Sequence, residues 1–137
     1  MANTQYATAT RNALANQITA LVDAGAGAGT LKVYSGTQPT TAQDAITGTL
    51  LATFTLTDPA LAAAAAGVAD FDFDPDLEAT VAATGTATHF RIADSDANTV
   101  LDGDVNTTGA TLNFDVTAWT SGGTVKLATG TVTAPAA

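Results

Sequence analysis

The chain has 137 residues, thirteen acids against four bases for a formal charge of −9, and no cysteine. That length suits one domain able to bury a core, the charge repels phosphate backbones and anionic lipid, and the missing cysteine excludes disulfides, thiolate nucleophiles and thiolate metal sites. With only 12% charged residues against 46% hydrophobic, the composition is also too apolar for a disordered acidic chain, so the surface must be largely threonine, serine, asparagine and small side chains.

Residues 1–7 read as a flexible arm able to order against a neighbour. No basic region with an apolar run marks a secretory signal, and no stretch reaches the roughly 18 apolar residues of a membrane helix. A soluble protein that stays where it is made is expected. Thr8 to Ala24 is the one good helix candidate: Leu14, Ile18, Leu21 and Val22 stack on one face, Thr8 or Thr10 can cap the start, and the glycines of Gly25–Gly29 stop it. Such a helix must lie on something larger.

The segment TLKVYSG alternates Leu31 and Val33 with Lys32 and Tyr34, the period of a half-buried strand. TQPTTAQDAITG follows without periodicity and reads as an exposed loop. Thr49 to Thr57 is the second strand, with Leu50, Ala52, Phe54 and Leu56 on one face. Asp58-Pro59 ends it, and Ala62 to Ala66 reads as a loop with at most about one helical turn. Strands are then expected at Gly67–Asp72 and Leu77–Thr84, with Pro75 at the turn between them, then at the hairpin of Gly85–Val105, and finally at Thr111–Thr117 and Thr124–Thr133, where Gly130 suggests a bulge. No fixed-period repeat is present. The sum is a mainly β chain: an antiparallel sandwich or barrel of about eight strands with one N-terminal helix packed on it, as a single domain over 1–137.

The hairpin, GTATHFRIADSDANTVLDGDV, holds the only histidine, one of two arginines and four aspartates. With Asp96 to Thr99 as its loop, Arg91 lies opposite Asp104, Phe90 opposite Val105, Ala93 opposite Asp102, and His89 beside Asn106. Phe90, Ile92, Leu101 and Val105 then share one face, and His89, Arg91, Asp102 and Asp104 the other. An exposed Arg91–Asp104 pair contributes about 0.2–1 kcal/mol. Asp94, Asp96 and Asn98 begin like a calcium loop, but Thr99 stands where the turn needs glycine and Val105 where a bidentate acid is required, so they read as turn formers. Asp70, Asp72, Asp74 and Asp76 form the densest acidic run and read as a solvated face, with an interface to a basic neighbour as the sharper alternative. A cation at Asp94/Asp96 or at Asp70/Asp72 is left open. His89 lacks a recognisable nucleophile, because Ser35, Ser95 and Ser121 are the only serines and none sits in a nucleophile elbow. One tryptophan and two tyrosines leave little platform for sugars, and Trp119 reads as a core or loop anchor, with an interface anchor as the sharper alternative. No catalytic, cofactor-binding or metal-binding residue is assigned, and no cofactor is expected.

DAGAGAGTLKVYSGTQP, GTLLATFTLTDPA and GTATHFRIADSDANTVLDGDV, taken in order, resemble small virion structural proteins of tailed bacteriophages over roughly residues 8–105. Within that group the chain looks most like a capsid decoration, or cement, protein. The resemblance implies a non-enzymatic homo-oligomer that binds the major capsid protein or other virion proteins on the capsid surface after assembly in the host cytoplasm. A tail-tube or head-tail connector subunit stays open beside it, as does a carbohydrate or receptor-binding module. The acidic tip at Asp94–Asn98 is the expected lattice contact.

Overall fold

The computed structural model describes residues 5–56, 63–70, 78–126 and 131–133. Among these the chain is mainly β, with one helix and a curled sheet. The alternating segments predicted as β1 (Thr30–Tyr34), β2 (Leu50–Thr55), β6 (His89–Ala93) and β7 (Thr99–Asn106) form the main sheet, joined at one edge by β8 (Leu112–Asn113) in the order β2-β1-β6-β7-β8. Three ladders of two short strands complete it: β3 (Val68–Asp70) with β11 (Thr131–Thr133), β4 (Glu78–Thr80) with β10 (Thr124–Lys126), and β5 (Gly85–Thr86) with β9 (Ala118–Trp119). Among the described residues eleven strands therefore stand where about eight are expected: Gly85–Thr86 is a strand separate from His89–Ala93, Ala118–Trp119 lies beyond the predicted Thr111–Thr117, and Thr124–Lys126 and Thr131–Thr133 both fall within one predicted strand. β7 and β8 run parallel, against the all-antiparallel expectation, pairing Val105 with Leu112 and Asn106 with Asn113. The Asp72–Asp76 part of the acidic run, the Pro75 turn and the Gly130 bulge lie outside the described residues.

The apolar face of the main sheet carries Leu31, Val33, Phe54, Phe90 and Ile92, all fully buried. One apolar cluster joins these to Ala79, Val81 and Ala87 from the chain around the short ladders, to Phe114 and Trp119, and to Ala15 and Val22 of the helix. Leu51 enters it too, because the β1–β2 register shifts between Val33 and Tyr34 and leaves Leu51 as the extra residue of a bulge. Trp119 packs edge-on against Phe114 at 5.0 Å and donates its indole N–H to the Val116 carbonyl at 2.7 Å, which makes it a core aromatic.

The helix, α1, runs Thr8–Val22, but it is rolled relative to the predicted face. Ala15 and Val22 are buried, whereas Leu14 and Leu21 are 41% and 49% exposed. The reason is polar: Asn16 accepts from the Ala64 amide at 2.8 Å and Asn12 from the Gly67 amide at 2.6 Å, so the asparagine side of the helix faces the 64–67 turn. No side chain caps the start, since the capping position is Ala7 rather than either threonine. The alanine run likewise makes a hairpin turn in place of a helical one. Ala65 and Val68 exchange backbone hydrogen bonds at 2.9 Å, and Ala66 and Gly67 both take positive φ, as a two-residue hairpin of the I′ kind requires.

Past the helix the glycine run has a second use besides stopping it. A Cβ on Gly25 would collide with the Ser95 hydroxyl, and one on Gly29 would meet the Ala93 carbonyl at 2.7 Å, so these glycines let the chain pass directly under the β6–β7 tip. Ser95 fastens the contact by donating to the Ala24 carbonyl at 3.2 Å and accepting from the Gly27 amide at 3.3 Å.

Candidate functional site

The β6–β7 hairpin turns earlier than its composition suggests. Asp94 is 8% exposed, not an exposed tip, and its Oδ1 accepts from the amides of Asp96 and Asn98 at 2.9 Å each while Oδ2 accepts from the Asn98 side chain at 3.0 Å. These bonds, with Asp94 N–H donating to the Asn98 carbonyl, define a loop of Ser95, Asp96 and Ala97 in which Ala97 has φ +66°. The Asn98 contacts, its side chain first, hold the Asp94 carboxyl below the usual carboxylate range. All three bonds are of the turn-forming kind, so the calcium-like start serves the backbone. Because the left-handed region strains a residue with a Cβ, Ala97→Gly is expected to raise stability by about 0.5–1 kcal/mol, read from the urea midpoint at unchanged slope.

A further register shift between Ile92 and Ala93 sets the rest of the ladder, which pairs His89 with Asp104, Phe90 with Gly103 and Arg91 with Asp102. The expected Arg91–Asp104, Phe90–Val105, Ala93–Asp102 and His89–Asn106 neighbours are thus replaced. Since side chains alternate with period two, slipping the main ladder by two residues keeps the same faces. His89, Arg91, Asp102 and Asp104 do share the polar side, joined from β1 by Lys32 opposite Arg91 and Tyr34 opposite His89.

Asp104 is exposed, but the part of that polar side around His89, Arg91 and Asp102 is covered. Residues 36–48 form a strap across it, pinched at its neck where the Ser35 amide donates to the Thr49 carbonyl at 3.0 Å. Glycine is needed at both ends: Gly36 has φ +90°, and a Cβ on Gly48 would run into the Ser35 carbonyl. Such a loop with its ends together is an Ω-loop. Arg91 ties it down, its Nη2 donating at 2.8 Å both to the Asp44 carbonyl and to Asp102 Oδ2, while Nε donates to Asp102 Oδ1 at 2.6 Å. The two-pronged pair has side chains only 14% and 5% exposed, so the surface contact expected of Arg91 is in fact a nearly dry one.

His89 is fully buried. Its ring stacks on Tyr34 at 5.5 Å and 15°, and Nδ1 meets the Thr88 hydroxyl at 3.0 Å. Thr88 Oγ1 donates to the Gly36 carbonyl at 2.7 Å, so it accepts from His89, which places the proton on Nδ1. Nε2 has no hydrogen-bond partner, and the Cβ position of Gly48 lies 3.5 Å from the adjoining Cε1. Burial pushes the imidazole below its ordinary value, opposed by the charge of Asp102, and burial raises the Tyr34 phenol. Asp104 accepts from the Thr111 amide at 2.9 Å and hydroxyl at 2.7 Å, which lower its carboxyl.

Chemically this is a closed set. With Nε2 unpartnered, no serine or carboxylate is bonded to the imidazole as a base–nucleophile pair requires. Ser95 is committed to the glycine run, and Ser121 donates to the Ala82 carbonyl at 3.4 Å. Among the described residues no three acids or histidines gather as metal ligands. No protein-family model, curated protein or solved structure matches the chain.

Two other features face outward. An open cleft of about 740 Å³ is lined by Val81, Asn113, Phe114, Trp119, Thr120 and Lys126, among others. The outer face of α1 shows Leu14 and Leu21 with Thr10, Ala13, Gln17 and Ala20, a stripe without a charge on a chain of net −9. Tyr34, Thr88 and the strap are the site members that residue chemistry alone did not mark. The glycines at 36 and 48, bracketing a long aperiodic segment, are the signal that could have found the strap.

Proposed function

We propose that this chain is a virion structural protein of a tailed bacteriophage, a non-enzymatic capsid decoration subunit that binds and reinforces the lattice of major capsid protein. The observation that carries this reading is how the reactive-looking side chains are spent. Arg91, Asp102, Asp94 and Ser95 are engaged in internal bonds that lock a strap and a hairpin tip. What faces outward among the described residues is polar threonine, an uncharged helix stripe, short strand edges and scattered acids such as Asp96, Asp104 and Asp115, a surface suited to packing against neighbours. In the finer form of the fold, the short ladders are the second layer of a β-sandwich over the main sheet. The chain acts as a homo-oligomer, since symmetric partners can close such edges. The −9 charge suits the outside of a DNA-filled shell, where the subunit adds after assembly in the host cytoplasm.

The test is to add the purified chain to expanded capsids that lack it. Saturable binding with a higher thermal threshold for capsid rupture supports the reading. Absence of both overturns it. Labelling confined to tails, at the copy number of a ring, would instead favour the tail-tube or connector alternative. A carbohydrate or receptor-binding module has less support, because the Trp119 ring is only 5% exposed.

A further inference from the structure

We propose that the 36–48 strap is an acid-released cover, opening about its Gly36/Gly48 neck when His89 takes up a proton, and so exposing the strip of Tyr34, His89, Arg91 and Asp102 beneath it. The proposal stands apart from any virion role. Its basis is the geometry of the imidazole. Nδ1 is already used on Thr88, and Nε2 is buried without a partner. A second proton would therefore create a charged N–H with no acceptor in a dry space, which strongly disfavours the charged form while the strap is shut.

The surrounding charges do not offset this. From β7, Asp102 attracts a proton on His89, but both its oxygens already accept from Arg91. Asp104, directly across the ladder, is held by Thr111. Arg91 on the same strand repels, Lys32 on β1 is the cross-strand neighbour of Arg91, and Tyr34, its phenol raised by burial, carries no charge in this range. From the strap, Asp44 turns its carboxylate onto the Thr41 amide at 3.0 Å and presents only its carbonyl to Arg91.

The strap is also the part able to yield. Its residues are mostly exposed and none belongs to the apolar core, whereas Val33, Phe90 and Ile92 on the other side of the same strands are fully buried. Among the described residues the hydrogen bonds that tie it to the sheet are those of Thr88 to Gly36 and Arg91 to Asp44. Local opening of so lightly held a segment needs far less than global unfolding. An open strap returns His89 to water, where an ordinary pKa of about 6.5 makes the open form roughly tenfold more populated at pH 5.5 than at pH 7.5. Carboxylates remain ionised over that window.

Amide hydrogen exchange at the two pH values, corrected for intrinsic rates, tests this on the full chain. The expected result is a roughly tenfold loss of protection at residues 37–47, with residues 31–33 and 90–92 unchanged. His89→Gln is expected to abolish the pH dependence. The chain has one histidine, so its imidazole NMR signal can be followed without assignment, and its titration must coincide with strap opening even if the variant does not fold. Protection that does not change with pH, loss shared by β1 and β6, or a pH response that survives in His89→Gln each overturns the proposal.

Discussion

Arg91→Ala is expected to lower the unfolding free energy by about 3–5 kcal/mol in urea denaturation at pH 7, several times the cost of losing a surface ion pair. The size follows from what stays behind. Asp102, with a side chain 5% exposed, would keep its charge and lose both N–H donors at once. The strap would lose the Arg91 bond to the Asp44 carbonyl in the same step. Arg91→Met combined with Asp102→Leu should recover most of the loss, because replacing both charges leaves none uncompensated. A double-mutant cycle separates the two contributions, and a single-variant cost below about 1 kcal/mol would mean that the pair behaves as an exposed one.

Gly103→Val should cost about 3 kcal/mol, near the top of the range for overfilling a packed site. Gly103 sits across the ladder from Phe90, whose ring lies over it. A Cβ there would stand 2.6 Å from both Cε1 and Cζ of that ring, with the Thr111 Cβ at 3.3 Å. Phe90 is fully buried and cannot swing into solvent to make room. Gly103→Ala should be milder, and pairing it with Phe90→Leu should relieve part of the strain. The check is non-additivity in thermal or urea unfolding; simple addition of the two single effects would show that ring and glycine do not interact.

These positions also mark how far the sequence could be read. The alternation in HFRIA and VLDGDV sorted apolar from polar sides correctly, because a shift of two residues leaves faces unchanged. The pairing itself was beyond reach: a three-residue loop with alanine in the left-handed position carries no Asn-Gly or Asp-Gly signature, and a bulge beyond it moves the partner again. The helix was legible as a helix, yet its orientation depends on Asn12 and Asn16 receiving amides from a turn some fifty residues away, a choice that hydrophobic periodicity does not encode. For the candidate site, the clustering of His89, Arg91 and the aspartates was visible. Their burial was not, since the cover is an aperiodic loop whose composition reads as solvent-facing.

The fastening of the glycine run to the hairpin tip by Ser95 has a mechanical consequence. Tension entering through α1 passes through Gly25–Gly29 straight into β1, the strand flanked by β2 and β6. Inter-strand bonds there lie across the strand direction, so a load drawn along β1 against both neighbours would fall on the two ladders together. Loaded in that way the two ladders make a stiff link, and the Ser95 staple, with bonds of 3.2 and 3.3 Å, lies ahead of them on the line of pull.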